Sequence, residues 1–339
     1  MLRRSLLLAL MLFPASVAWT DQAPPRLALP LDCTPGEDCW IPRHFDHDPG
    51  EDGRDYACGD LTDGDHDGTD FAVRSRLAVA EGVAVRAAAA GTVGAVRDGM
   101  ADVDVGEIGV GAVEGRDCGN GVRVDHGGGF ETQYCHLRRG SVVVAPGDRV
   151  EAGDPLGMVG MSGMASFPHV HLTVRYRGRA VDPFVGLDGA GDRCGVGAAP
   201  LWRDDALAAL VPYRPVLIGA AGFAPGAPER DDVRAGYYDR LDGLPRSSPA
   251  LVVWIDVYGL RGGDAVTFRL TAPDGAVLVD DRREMAKGWA RWFGFAGRRR
   301  PGGAWPEGPY RGEVAVERAG TGAADGPRRF AAERTIELR

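Results

Sequence analysis

Short segments rich in apolar residues, separated by turn-forming residues, recur from about residue 70 onwards. Between 70 and 185, seven segments are bounded by Gly, Pro or Asp, which is typical of strands joined by tight turns. They are residues 70–73, 83–85, 91–96, 121–126, 130–136, 141–144 and 169–175. Regular short strands predict antiparallel sheets, and Gly127 to Gly129 predict a hairpin loop because glycine tolerates positive φ. The glycine-rich residues 97–118 predict a surface loop that shapes a groove.

The pattern changes after Cys194. Residues 198–215 are rich in Ala, Leu and Pro and predict a connector with one or two helical turns. Six further segments then alternate as in a β-sandwich: residues 251–257, 265–270, 277–279, 289–295, 310–316 and 330–338. The predicted fold class is therefore mostly β, with an antiparallel β-sheet domain followed by a C-terminal Ig-like β-sandwich over residues 216–339.

The first 18 residues have the layout of a secretory signal peptide. Arg3 and Arg4 precede an apolar run that reaches Phe13, and the small residues Ser16 and Ala18 follow. The run is too short to span a bilayer, which needs about 20 apolar residues. We therefore expect cleavage after Ala18, in preference to an uncleaved anchor or a buried helix. The mature chain is expected to be exported, periplasmic or extracellular, with no transmembrane segment.

Export changes the interpretation of the cysteines. All six follow Ala18, and an even number in an oxidising compartment predicts disulfides. Cys33 and Cys39 are expected to pair across a tight local loop, whereas the other four allow three pairings that the sequence leaves open: Cys58, Cys118, Cys135 and Cys194.

Charge restricts the partners. The net charge of -9, with no dense basic region, argues against nucleic acid. Residues 19–65 predict a disulfide-containing acidic segment, in which His44 and His47 are interpreted as solvated loop residues rather than accessory metal ligands. Residues 63–68 imitate the start of a calcium loop, but Arg74 stands where a bidentate glutamate is needed.

All seven histidines lie between residues 44 and 171, so the chemistry is expected in the first domain. His169 and His171 are two residues apart and project from the same face of a strand. Gly68 permits a turn that lets His66 and Asp70 converge. Two imidazoles and a carboxylate, His66, Asp70 and His171, would leave one tetrahedral position open, as in catalytic zinc sites.

Residues 66–185 resemble the catalytic domain of the M23 peptidases, the LytM or lysostaphin type. The resemblance is carried by six stretches: residues 66–72, 119–127, 134–137, 144–153, 156–163 and 168–172. It implies that His66, Asp70 and His171 bind one catalytic zinc ion and that His136 and His169 are catalytic. It also implies a peptidase domain over residues 66–197 that hydrolyses peptidoglycan stem or cross-bridge peptides.

The resemblance suggests a mechanism and leaves one rival. Because the chain has no H-E-x-x-H helix, we expect His136 and His169 to replace the glutamate base. A serine hydrolase at Ser162 lacks its nucleophile motif, and a cysteine protease at Cys135 would need a reduced thiol. The rival is an envelope-binding or regulatory protein with a latent peptidase domain. In it, basic and aromatic residues within 282–300 would bind an envelope polymer or protein, although core packing explains them better.

Overall fold

The computed structural model describes residues 23–48, 50, 53–189, 193–211, 213–320 and 328–339. The predicted signal peptide, residues 1–18, lies outside them. Within the described ranges, every helix falls short of the length and apolar character needed to cross a membrane.

The first unit is built around one antiparallel sheet, as the strand pattern predicts. Its strands and those of a small side sheet are β1 (Cys39–Arg43), β2 (Thr69–Val73), β3 (Ala84–Arg86), β4 (Gly91–Arg97), β5 (Asn120–Gly127), β6 (Phe130–Leu137), β7 (Arg149–Val150), β8 (Pro155–Met158), β9 (His169–Tyr176) and β10 (Arg179–Val181). Among the described residues, the main sheet has the order β1-β2-β9-β6-β5-β4-β7, with β10 beside β9, while β3 pairs with β8. The glycines after β5 form the predicted hairpin turn to β6.

Strand β9 shows how the alternating pattern positions a site. Val170, Leu172 and Val174 are buried in the core of the unit, together with Phe184 and Trp202. Since successive side chains of a strand point to opposite faces, His169 and His171 project to the other side of the sheet. Burial of the valines and leucine therefore determines the direction in which both imidazoles point.

The predicted strand over residues 141–144 is wrong. In the structure this segment is irregular, and Val143 is exposed. The amide of Val142 donates to a carboxylate oxygen of Asp98, and the Ser141 hydroxyl donates to the carbonyl of Arg138. Because side chains take these hydrogen bonds, no continuous ladder forms, even though three consecutive valines favour a strand.

Helices are short. They are α1 (Arg76–Glu81), α2 (Val105–Ile108), α3 (Asp204–Leu210) and α4 (Arg230–Ala235), with a 3-10 helix at Val110–Ala112. Helix α2 and the 3-10 helix lie within the predicted loop 97–118, where the Asp104 side chain accepts from the amide of Gly106 and caps α2. Helix α3 lies within the predicted connector.

The second unit consists of two sheets that share a core. Its strands are β11 (Leu217–Ala224), β12 (Gly243–Leu244), β13 (Ala250–Leu260), β14 (Ala265–Thr271), β15 (Val277–Glu284), β16 (Trp289–Arg299), β17 (Gly308–Arg318) and β18 (Arg328–Leu338). Within the described residues, one sheet has the order β11-β13-β16 and the other β12-β18-β17-β14-β15. Val253 and Ile255 of the first sheet pack with Phe268 and Val314 of the second. The two-sheet arrangement agrees with the expected sandwich, and its Ig-like classification stays a prediction.

Three disulfides connect the first unit. The predicted Cys33–Cys39 bond is confirmed. The pairings that the sequence left open are Cys58–Cys194, which joins residues 136 positions apart, and Cys118–Cys135, which joins the end of the 97–118 loop to β6.

The two units meet at β1 and β2 of the first unit. Trp40, Ala72 and Phe167 of the first unit form a buried cluster with Leu217 and Tyr258 of the second. At the edge of this contact, an arginine of the second unit, Arg261, donates twice to the Asp60 carboxylate, at 2.7 and 2.8 Å.

Candidate metal centre

The structure brings together the three predicted metal ligands. In the β2–β9 register, Asp70 lies opposite His171, and His66 approaches from the loop before β2. Asp70 Oδ1 lies 2.9 Å from His171 Nδ1 and 3.2 Å from His66 Nε2, and the two imidazole nitrogens are 3.1 Å apart. Zinc bond lengths of about 2.0–2.1 Å require ligand atoms roughly 3.4 Å apart in a tetrahedron. The three atoms therefore already lie near the spacing that a tetrahedral ion needs.

Hydrogen bonds fix which nitrogen each imidazole presents to this point. His66 Nδ1 donates to the carbonyl of His44 at 2.7 Å, which leaves the lone pair on Nε2. His171 Nε2 donates to Asp67 Oδ1 at 3.1 Å and lies 2.9 Å from the Thr173 hydroxyl, so Nδ1 is the nitrogen that faces Asp70. Such outer partners orient metal-binding histidines. Sequence reasoning missed them, because a backbone carbonyl carries no signature and the sequence analysis interprets Asp67 only as part of the calcium-like residues 63–68.

The carboxylate of Asp70 is almost completely buried yet ionised. Burial raises its pKa, but the neighbouring His169, His66 and His171 outweigh this effect and hold the pKa well below the usual value. For His171, burial lowers the pKa, and the bonds to Asp67 and Asp70 raise it to about 9. A metal ion must therefore displace a proton from His171, so binding is coupled to proton release.

Gly68 has a further role that the sequence analysis does not predict. A Cβ atom at this position would lie 2.7 Å from His171 Nε2 and 2.6 Å from the carbonyl oxygen of Leu172. Glycine is thus needed because the loop passes directly over the His171 ring.

The two predicted catalytic histidines lie beside the ligand set. Their ring centroids are 4.6 Å apart, and His169 Nε2 lies 3.6 Å from Asp70 Oδ1. His136 Nδ1 donates to the carbonyl of Ser162 at 2.7 Å, and His169 Nδ1 donates to that of Phe167 at 2.8 Å. Both rings therefore keep a free lone pair on Nε2. Burial is the main cause that lowers the pKa of both imidazoles, and it holds the pKa of His136 well below the usual value. Both rings are therefore neutral and able to accept a proton.

The backbone of His136 adopts an uncommon conformation. Its φ of 64° lies in the left-handed region, where residues other than glycine are rare. The amide of His136 donates to the carbonyl of Cys118 at 2.8 Å, next to the Cys118–Cys135 disulfide. A bulge between β5 and β6 occurs at the same place. The disulfide, the bulge and the Ser162 contact together hold an otherwise unfavourable conformation that directs the imidazole to the site.

These groups line an open cleft of about 530 Å³. The walls also carry Arg43, Met164 and Arg175, and residues from both ends of the 97–118 loop, as that prediction required. A larger hollow of about 720 Å³ lies between the N-terminal segment and the second unit, and it contains none of the five predicted site residues.

The prediction that His44 and His47 are solvated is wrong. His44 is buried, packs edge-on against Tyr56 and Phe184, and burial lowers its pKa to about 4. His47 Nε2 lies 2.7 Å from Asp182 Oδ2, which ties the acidic segment to the residue that follows β10. Neither ring belongs to a group of metal-ligand atoms among the described residues, and the calcium-like residues 63–68 form no separate group there.

A mononuclear site of two imidazoles and one carboxylate, open to a cleft on a β-sheet, is the class of centre used by zinc hydrolases. Residues 64–183 match the sequence profile of peptidase family M23. This part of the chain is an M23 peptidase domain, which confirms the family resemblance.

Curated relatives support the family assignment over short regions. The chain is 37% identical over 65 residues to the DD-carboxypeptidase/endopeptidase Mpg of Neisseria meningitidis, covering 19% of this chain and 14% of that protein. It is 36% identical over 64 residues to the peptidoglycan DD-endopeptidase ShyA of Vibrio cholerae, again covering 19% and 14%. The matches thus span about one seventh of the length of these relatives.

Solved structures include similar chains. A zinc-containing peptidase from Vibrio cholerae is 24% identical, with a TM-score of 0.32 over 48% of this chain and 39% of that one. The lysostaphin catalytic domain from Staphylococcus simulans is 25% identical, with a TM-score of 0.26 over 35% and 77%.

Proposed function

We propose that the protein is an exported zinc metalloendopeptidase that hydrolyses peptide bonds in the stem or cross-bridge peptides of peptidoglycan. One observation carries the proposal: the ligand atoms of His66, Asp70 and His171 lie within 4.8 Å of one another in an M23 domain. Hydrogen bonds to other groups turn both imidazoles inward, beside the His136–His169 pair in an open cleft. The name of the relative ShyA, a peptidoglycan DD-endopeptidase, supports peptidoglycan as the substrate.

The residues fit a zinc ion. Neutral imidazole nitrogens and a carboxylate oxygen are preferred zinc ligands, and three protein ligands leave a position for a small molecule. When bound there, zinc would act as a Lewis acid and make water nucleophilic near neutral pH. No glutamate lines the cleft within the described residues, so the proton transfers fall to histidines.

His136 and His169 are suited to those transfers. One Nε2 accepts the proton of the attacking water as its oxygen bonds to the scissile carbonyl carbon. The other imidazole, when protonated, stabilises the developing oxyanion by donating from Nε2, and the proton taken from the water returns to the amine nitrogen as the C–N bond breaks. The carbonyls of Ser162 and Phe167 accept from Nδ1 of the two rings and leave each Nε2 available, as the ring that acts as the base requires.

The alternative, a binding or regulatory protein with a latent peptidase domain, has no specific observation in its favour. All five predicted site residues are present, and they face an open cleft. An inert relative would be expected to lack part of the ligand set or the space for a peptide.

Digestion of purified sacculi tests the proposal. We expect the zinc-loaded full chain to release fragments whose masses identify one peptide bond, and a chelator to abolish the release. Asp70→Ala should lose both zinc and activity, while Asp188→Ala, a change at an exposed aspartate, should keep both. Intact sacculi after treatment with fully zinc-loaded protein would contradict the proposal.

A further inference from the structure

The metal cleft continues into a second, shallower hollow on the surface of β4 and β5. This hollow has a volume of about 230 Å³, and it shares Arg97, Cys118 and Gln133 with the metal cleft. Its remaining walls are small or apolar residues and one further arginine: Ala95, Val96, Gly119, Gly121, Val122 and Arg123. We call it the arginine hollow. A peptide lying in the cleft can extend into it without crossing a barrier of side chains.

The strand register explains why this hollow exists. Arg97 of β4 lies opposite Gly121 of β5, and Arg123 of β5 lies opposite Ala95 of β4. Residues directly opposite in an antiparallel pair share a face, and so do residues two apart, which places both arginines diagonally on the same face. The small residues opposite them leave the space between the two guanidinium groups open.

Charge distinguishes the arginine hollow from the rest of the cleft. The cleft arginines Arg43 and Arg175 each pair with an aspartate, at 2.8 and 3.1 Å. In contrast, no acidic residue of the described chain lines the arginine hollow. Within the described residues, the Arg97 side chain makes one long hydrogen bond of 3.4 Å to the carbonyl of Gly119, and Arg123 lies 3.8 Å from Glu131. The hollow is thus a concave positive site on a protein of net charge -9.

Gln133 connects the hollow to the metal site. It lies opposite Arg123 in the β5–β6 register, and its Oε1 accepts from Arg175 at 2.6 Å. Arg175 in turn donates to Asp67, the carboxylate that orients His171. The hollow is therefore fixed relative to the metal ligands through one continuous set of hydrogen bonds on β6 and β9.

We propose that the arginine hollow is a carboxylate-binding subsite, and that the preferred substrate is an anionic peptide whose free carboxylate contacts Arg97 and Arg123. This inference rests on the proposed function and specifies its substrate class. Guanidinium groups suit this role because their planar donors match a carboxylate and remain charged at any physiological pH.

Binding measurements test the subsite independently of catalysis. The full chain carrying His136→Ala is titrated calorimetrically with stem peptides in which each acidic group is, in turn, free or converted to a primary amide. We expect one free carboxylate to strengthen binding about tenfold, as charge-assisted contacts at a partly exposed site do, and the gain to shrink at high salt. Adding Arg97→Ala and Arg123→Ala should remove the preference. Arg149→Ala, at an exposed arginine that lines neither hollow, should preserve it.

The outcomes separate the two proposals. Equal binding of all free and amidated peptides, or a preference that survives loss of both arginines, would overturn the subsite. A carboxylate preference that depends on Arg97 and Arg123, in a chain whose zinc-loaded wild type cleaves none of these peptides, would support the subsite and contradict the hydrolase. If the wild type cleaves them, its kcat/KM should show the same roughly tenfold preference.

Discussion

Phe167 links the second unit to the metal site, and replacing it with alanine tests whether that contact positions a catalytic imidazole. The Phe167 side chain is 6% exposed. Its ring stacks on His169 with centroids 4.4 Å apart and meets Tyr258 of the second unit edge-on at 5.9 Å. The Arg291 guanidinium, also from the second unit, lies 5.8 Å from the same ring centroid. Phe167→Ala removes all three contacts at once.

The structure sets the size of two separate effects. Truncating a buried phenylalanine to alanine costs about 3–5 kcal/mol of unfolding free energy. The carbonyl of residue 167 remains in Phe167→Ala, so the Nδ1–H of His169 keeps its acceptor and its tautomer. The imidazole loses its lateral support instead, and a displacement of the order of 1 Å lowers kcat by about 10²-fold. Zinc content should not change, because Phe167 contacts none of the three ligands.

The assay combines urea unfolding, zinc content and kcat on a cleavable stem peptide, measured where each variant is fully folded. Phe223→Ala is the matched control, because Phe223 is also buried, at 3% exposed. It belongs to a core cluster of the second unit that shares no residue with the metal cleft. It should lose similar stability while keeping kcat. The reasoning is refuted if Phe167→Ala loses stability but not kcat, or if both variants lose kcat equally.

Three further predictions concern His136 and its supports. His136→Ala should keep its zinc, measured by elemental analysis, while turnover falls by about 10²–10⁴; full turnover would exclude it as an acid or base. Cys118→Ser with Cys135→Ser should lower the unfolding free energy by about 3 kcal/mol, since the bond closes a loop of 17 residues; an unchanged denaturation midpoint would contradict this. Gly163→Ala should reduce both stability and kcat, because Gly163 has a φ of 79° and a Cβ there would collide with neighbouring backbone. The control is Gly189→Ala, which is also at positive φ but in open space. It should reduce stability only slightly and leave kcat unchanged.

Much of the site could be predicted because it depends on strand periodicity. The two-residue spacing of His169 and His171 places both on one face of β9, and the buried residues Val170, Leu172 and Val174 on the other face determine which face that is. The prediction of a mostly β, antiparallel fold is confirmed for the same reason. The roles of the five site residues and the domain boundaries stay predictions.

Other features depend on contacts that no local pattern encodes. The acceptor for His66 is the backbone carbonyl of His44, 22 positions away. His44 itself is buried by Tyr56 and Phe184, so its acidic sequence neighbours wrongly suggested a solvated loop. The contact between Phe167 and Tyr258 joins the two units. The strand pattern of each unit does not predict how one unit is placed against the other.

The central claim is that His66, Asp70 and His171 hold one zinc ion with a position left open. Anomalous diffraction at the zinc edge, from crystals of the full chain, measures this directly. We expect a single strong peak in the metal cleft, about 2.0–2.2 Å from His66 Nε2, Asp70 Oδ1 and His171 Nδ1, with no fourth protein ligand. Absence of a peak there in zinc-saturated crystals, or a fourth ligand supplied by the chain itself, would contradict the account.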